Sequence, residues 1–315
     1  MTIELFESIK KERLTDFKLT RKKLVSLLKD AKDNNDELLL TDIYNEIYPH
    51  EITEAIVRNK GKNLLGKFSS FKTLIAQRTE LRLRGLKCPE WELDDKKNAY
   101  NFIDSINVPR PMLISEFNIN KMEEFTNGVV KPKYGSNSKG VFIIQDEFVY
   151  DVANREFISL EEAKKRMLEI NMNPWLHETA VVSQSQSNDD IPFKPPHDLK
   201  FYSFYGEIAL ILEVRRYPDK KYCWWDVNGE VVSTGKYNTD LFDGNGFTKE
   251  DLEIAKHVSK NIKSPFCRVD FLKTKEDFIF GEFTPRPGGF DEFDSETDRM
   301  LGDYFIDALI RINNE

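Results

Sequence analysis

Two short runs, F-C-R-V-D-F-L (Phe266–Leu272) and F-I-F-G-E-F-T (Phe278–Thr284), constrain this chain more than any other feature. Both alternate with period two, and the T-K-E-D between them suits a turn. In a symmetric antiparallel register Leu272 faces Phe280, Asp270 faces Glu282 and Arg268 faces Thr284, all on one face. The other face carries Cys267, Val269, Phe271, Ile279, Gly281 and Phe283, apolar enough to be a core side. Opposed carboxylates on neighbouring strands, about 5 Å apart, repel and destabilise a sheet. A bound divalent cation removes that repulsion, and oxygen-only ligands suit magnesium, making Asp270 and Glu282 candidate metal ligands. Arg268 sits one pair away, placed for a phosphate or a developing negative charge. The plain alternative is a solvated polar face on an edge hairpin, and a slip of one residue would part the carboxylates.

The next residues, T-P-R-P-G-G-F, follow the second run immediately. Gly288 and Gly289 permit close backbone approach to a ligand, and Arg286 can clamp a carboxylate or a transferring phosphoryl group. Upstream lies V-V-K-P-K-Y-G-S-N-S-K-G-V-F-I-I. A strand ending in Lys131 leads into a loop containing Gly135, Ser136, Ser138 and Gly140, and a second strand begins at Val141. Such a loop can wrap phosphates with N–H groups and hydroxyls. It is not a Walker A motif, because the G-K-[ST] order is missing and a strand follows rather than a helix. In P-H-D-L-K-F-Y-S-F-Y-G-E, Asp198 and Lys200 point the same way along a strand. Lys200 would bring a second cation to the phosphates; the alternative is a surface ion pair of little worth.

The first 85 or so residues read as helices: Phe17 to Ala31, Asp42 to Arg58, and Phe68 to Leu86. Lysine and arginine are frequent there, as solvated helix faces or as a site for an anionic substrate. A helix entered through an acidic cap follows Leu93, and N-V-P-R-P then marks a loop. Past Thr126 the chain is strand-rich, with strands at G-V-V-K-P, G-V-F-I-I-Q and F-V-Y-D-V and near 180–183, 199–205 and 208–215. Helices are expected at 159–171, 248–263 and 298–312. Cys88, Cys223 and Cys267 form no C-x-x-C pair, so a disulfide framework or zinc site is not expected. No run approaches the roughly 20 apolar residues of a membrane helix, and charges break up the N-terminus. The expected location is therefore cytoplasmic, without a membrane span. The net charge of -8 argues against a nucleic-acid coat.

Taken in order, D-D-K-K-N-A-Y-N-F-I, V-V-K-P-K-Y-G-S, D-L-K-F-Y-S-F-Y-G-E, R-V-D-F-L and G-E-F-T-P-R-P-G-G-F resemble the ATP-grasp superfamily, and within it the TupA-like, teichuronopeptide-biosynthesis group. The resemblance runs from Leu93 to the C-terminus. It implies an α+β ATP-grasp fold, two antiparallel-sheet lobes clasping ATP, behind an N-terminal helical region. The implied division is 1–92 helical, 93–185 with the phosphate loop, and 186–315 with the metal and substrate site. Lys131 matches the lysine at the adenine and phosphate side, Gly135 to Gly140 the lid, Asp270 and Glu282 the magnesium ligands, and Arg268 the arginine beside the γ-phosphate. Thr284 stands where many such enzymes carry an asparagine ligand, and Gln184 is the match to a hinge position that is commonly glutamate.

The implied chemistry uses ATP and Mg²⁺ to activate a small-molecule carboxylate, such as an amino acid, for attack by an amine or glycan acceptor. The resemblance also implies a role in cell-surface polysaccharide modification. Phosphoryl transfer to a sugar or small molecule, or nucleotide binding without turnover, are the other readings the residues allow.

Overall fold

The computed structural model describes residues 2–46, 69–121, 127–135, 138–184 and 191–315. Helix α1 (Thr2–Asp33) and α2 (Glu37–Glu46) fold against each other around Leu28, Ala31 and Ile43. The expected helix at 42–58 thus begins earlier, and its part beyond Glu46 lies outside the described residues. Helix α3 (Phe71–Leu83) is capped by Ser70, and its Phe71 and Ile75 are buried. A single turn, α4 (Pro89–Glu92), precedes α5 (Lys96–Ser105), where Asp95 accepts from the N–H groups of Lys97 and Asn98.

The first sheet contains β1 (Leu113–Phe117), β2 (Gly128–Pro132), β3 (Phe142–Gln145), β4 (Phe148–Asp151) and β5 (Glu156–Ile158). Helix α6 (Leu160–Ile170), capped by Ser159, then lays Ala163 and Met167 against it. Strand β6 (Trp175–Glu178) enters the middle, giving the antiparallel order β1-β6-β2-β3-β4-β5. The strand expected near 180–183 is therefore displaced. All four residues of β6 are buried, so it shows no alternation to betray it. Ser183 and Gln184 form β7, a two-residue ladder with β8 (Phe193–Lys194).

The second sheet has the order β11-β10-β9-β12-β13. Its strands are β9 (His197–Phe204), β10 (Glu207–Arg215), β11 (Lys221–Trp225), β12 (Cys267–Lys273) and β13 (Phe278–Thr284). Between β11 and β12 runs α7 (Lys249–Asn261), started by a capping box of Thr248 and Asp251. The chain ends in α8 (Ser295–Asn314), which extends the helix expected at 298–312 and is capped by Asp294.

Both faces of this sheet are covered, but unequally. On one face, Leu199, Phe201, Val269, Phe271 and Phe280 pack on Tyr100 and Ile103 of α5 and Ala255 and Val258 of α7. On the other, Tyr202, Phe204, Leu212 and Phe266 pack on Phe71 of α3 and Leu301 and Phe305 of α8. Asp198, Lys200, Arg268 and Asp270 share that second face by strand alternation, and none of them belongs to its apolar cluster. Strands β9 and β12 are thus apolar under the helices and polar beyond them.

Helices α3 and α8 meet at backbone distance. A Cβ on Gly302 would come within 2.0 Å of the Ser69 carbonyl oxygen, so only glycine fits there. Asp298, in the first turn of α8, accepts from the Ser70 hydroxyl (2.8 Å) and the Lys72 N–H (2.9 Å). It thereby satisfies donors that the start of α3 leaves open.

Candidate functional site

The β12–β13 ladder sets the site. Asp270 is paired with Glu282 and Arg268 with Thr284, as the sequence pattern requires. The expected pair Leu272 with Phe280 does not form. A bulge intervenes, Phe271 pairs with Phe280 and Leu272 with Ile279, and Gly281 is the extra residue. The bulge turns Phe280 into the core with Phe271, where it is fully buried. A Cβ on Gly281 would lie 3.1 Å from the Asp270 carbonyl oxygen, so the bulge position suits glycine.

On its other edge β12 pairs with β9, placing Lys200 directly across from Asp270. Lys200 Nζ bonds Asp270 Oδ2, and Arg268 grips the same carboxylate through Nε to Oδ1 (2.7 Å) and a second nitrogen to Oδ2 (2.6 Å). Arg268 also donates to the Thr284 hydroxyl (3.0 Å), so Thr284 is engaged by the arginine. Burial alone would raise the Asp270 carboxyl, but Arg268 and Lys200 outweigh it and hold the group below the usual carboxylate range. Asp198 pairs with Arg216 at 2.6 Å. The Glu282 side chain is exposed, with no hydrogen bond or ion pair to another described residue.

The first sheet contributes a second charged group. Lys131 on β2 lies across from β6, and its ammonium bonds Glu178 (2.6 Å) and the Tyr100 hydroxyl (3.1 Å). Tyr100 in turn donates to Glu178. Burial works against the charge of Lys131, yet Glu178 and Tyr100 raise its pKa, while burial pushes the Tyr100 phenol up to about 12. Lys96, at the start of α5, donates to the Lys133 carbonyl (2.8 Å). Burial and then Lys131 lower its pKa, against the pull of Glu282 and Glu178. Lys96 therefore feels carboxylates of both sheets, which meet at this seam.

The remaining expected residues are placed as follows. Gly135 donates to the Pro132 carbonyl in the turn after β2. Ser138 and Gly140 have φ of 59° and 77°, and Ser138 accepts from the Val141 N–H. Ser136 and the side chain of Gln184 lie outside the described residues. Arg286 is exposed, its guanidinium 4.9 Å above the Phe290 ring.

Sequence reasoning missed Lys96, Tyr100, Glu178 and Arg216. Each reads as an ordinary helix or strand-end residue. Lys96 and Tyr100 find partners where α5 reaches the first sheet, Glu178 pairs with Lys131 from neighbouring β2, and Arg216 pairs with Asp198 of β9. Among the described residues no group of three or more His, Cys, Asp or Glu forms a metal cluster, and all three cysteines are free and buried. No helix among the described residues is long and apolar enough to cross a membrane.

Two antiparallel sheets that meet at a seam, one bringing lysines and the other cross-strand carboxylates with an arginine, define an ATP-grasp fold. More particularly, the chain belongs to the TupA-like ATP-grasp family, whose sequence profile matches residues 76–306. Its path is similar to that of D-alanine–D-alanine ligase from Bacillus anthracis, with 15% identity and a TM-score of 0.42 over 70% of this chain and 69% of that one. It is also similar to the L-amino acid ligase from Bacillus licheniformis (13% identity, TM-score 0.40, 81% and 54% of the chains). A third likeness is to the ATP-grasp ligase PsnB complexed with minimal precursor (9% identity, TM-score 0.41, 70% and 61%). No curated protein matches the chain.

Proposed function

We propose that this protein is an ATP- and magnesium-dependent ligase that joins a carboxylate to an amine through an acyl phosphate. The observation that carries the reading is the cross-strand pair Asp270 and Glu282, flanked by Lys200 and Arg268. The donor set fits the ion: one carboxylate is held ionised by two cations, and the other is exposed, with no side-chain hydrogen bond or ion pair among the described residues. Asp270 and Glu282 would hold magnesium, which when bound neutralises phosphate charge.

In this reading Lys131, Lys200 and the loop Gly135–Gly140 bind the nucleotide, and Gln184 and Asp198 border it. Glu178, bonded to Lys131, fixes that lysine in place. Arg268 stabilises charge on the transferring γ-phosphoryl group. Arg286, on the exposed turn after β13, takes the carboxylate of the donor. A donor oxygen attacks the γ-phosphorus and ADP leaves; the amine then attacks the acyl carbon and phosphate leaves. An amino acid as donor, and an amine on a cell-surface polysaccharide or its precursor as acceptor, are proposed on the likeness to the family alone and not on the site. The location in the cytoplasm belongs to the same proposal.

The test begins with ATP, magnesium and the standard amino acids, reading phosphate release. A donor that supports product formation is then supplied with ¹⁸O in its carboxylate. The acyl-phosphate route carries one labelled oxygen into phosphate. Label-free phosphate alongside product rules the route out and favours phosphoryl transfer to the acceptor.

A further inference from the structure

Lys236 is only 2% exposed and lies outside every motif considered above. Its backbone is locked on three sides. The Lys236 carbonyl accepts from the Trp224 indole N–H (2.9 Å), and the Thr234 carbonyl accepts from the Asp294 N–H (3.0 Å). Gly235, at φ +76°, sits so close to Asp294 that a Cβ there would come within 2.6 Å of its backbone nitrogen. From this fixed base the ammonium donates to the Gly288 carbonyl (2.5 Å) and the Gly289 carbonyl (2.6 Å). The rings of Phe293 and Tyr237 wall it in, with centroids 5.3 and 4.9 Å away.

The turn it holds is bounded by buried Pro287 and by Phe290, which packs on the second core, and between them its own contacts are few. Gly288 is exposed, and a Cβ there would meet nothing within 4 Å. The Gly289 carbonyl accepts one further bond, from the Glu292 N–H (3.1 Å). Arg286 stands on one side of this turn and Phe290, the ring under its guanidinium, on the other. Arg286 is joined to this turn through Pro287, so the hold of Lys236 on Gly288 and Gly289 adds to the burial of Pro285 and Pro287 in placing Arg286.

We propose that Lys236 is a positioning residue: its ammonium pins the Gly288–Gly289 turn and so sets where Arg286 offers its guanidinium to the substrate carboxylate. The substrate half of this rests on the role given to Arg286 above; the pinning of the turn does not. A neutral amine holds two carbonyls less firmly than an ammonium, since hydrogen bonds from charged donors are about twice as strong. The groups that face Lys236 are Glu292, whose Oε2 is 4.0 Å away, Asp291, and Arg268 from the sheet. Burial dominates, Arg268 adds to it and the two carboxylates oppose it, leaving a pKa lowered to about 8. The turn is thus held below that pH and loosened above it. The contribution of Lys236 to global stability has the opposite sign. The folded pKa is below the unfolded one, so the unfolded chain binds more protons between the two values and stability from this group rises with pH there.

The experiment is hydrogen exchange on the full chain, read on peptides spanning 286–292. It compares wild type at about pH 7 and 9, after correction for intrinsic rates, with Lys236→Met and Lys236→Arg at about pH 7. Protection at this turn should fall about tenfold in Lys236→Met and in wild type at the higher pH, and Lys236→Arg should restore most of it. Amino acids that support turnover should then show a KM about tenfold higher in Lys236→Met, with kcat and the KM for ATP within about twofold. Equal protection at both pH values and in all three proteins overturns the proposal. Should Lys236→Met fail to fold, the wild-type pH pair and Lys236→Arg decide it alone. A looser turn combined with an amino-acid KM unmoved by Arg286→Ala leaves the anchor standing and removes the substrate role of Arg286.

Discussion

The two carboxylates at the centre of the site have different surroundings, and their substitutions should differ accordingly. The Glu282 carboxylate is exposed and makes no ion pair among the described residues, so Glu282→Gln should unfold at the same denaturant midpoint as wild type and yet abolish ATP turnover. Asp270 is buried between Lys200 and Arg268. Asp270→Asn leaves two buried cations without their counter-charge and should cost about 3–5 kcal/mol in a denaturant titration. Its depressed pKa makes the sign of the pH dependence definite. The stability that Asp270 contributes is present above the usual carboxylate range and is lost as pH falls through the lowered value. Loss of Arg268 should lower kcat by about 10²–10³-fold, read with saturating ATP and amino acid. At this scale the sequence was most informative where strands alternate. Asp270, Glu282, Arg268 and Thr284 could be paired on paper because a period of two leaves one choice of face. Glu178 could not, because it falls in a strand buried on both sides, and its meaning depends on a tyrosine 78 positions away in the chain.

At the scale of elements, the bulge at Gly281 lets Phe280 join the core while Glu282 still faces the site. Gly281→Val would press a side chain onto the Asp270 carbonyl and shift β13 against β12. Overpacking of this kind costs about 1–3 kcal/mol, and here it should also reduce ATP turnover, because the strain falls between the two carboxylates. A kinetic assay that finds full turnover in a destabilised Gly281→Val would break the link between bulge and site. The bulge was hidden because a glycine within a strand reads equally well as a regular position. The existence of α3 was legible from its helical pattern and that of α5 from its acidic cap, but the sheet that each covers was not. An amphipathic face says that a helix is buried and is silent on what it is buried against.

At the scale of the whole molecule, Tyr100 joins the two sheets. Its ring belongs to the core of the second sheet, and its hydroxyl ends on Glu178 in the first. Tyr100→Phe keeps the ring and removes the bond. The buried Glu178 then loses a donor, at about 1–3 kcal/mol. Nucleotide affinity measured by calorimetry should change with it, since Lys131 shares the same carboxylate. An unaltered melting midpoint and unaltered affinity would show that the sheets are held together elsewhere.

The fit of Gly302 against Ser69 also bears on how the chain is made. Phe71 and Ile75 leave the ribosome early, yet the cluster they complete needs Leu301, Phe305 and Ala308. Until those last turns are synthesised, the second face of β9, β10 and β11 has only α3 of its two covering helices. The sheet that carries Lys200, Arg268, Asp270 and Glu282 therefore keeps part of its second face open until α8 is made. A ribosome stalled before residue 295 should display a chain that chaperones bind and proteases cut, however well the first sheet has already formed.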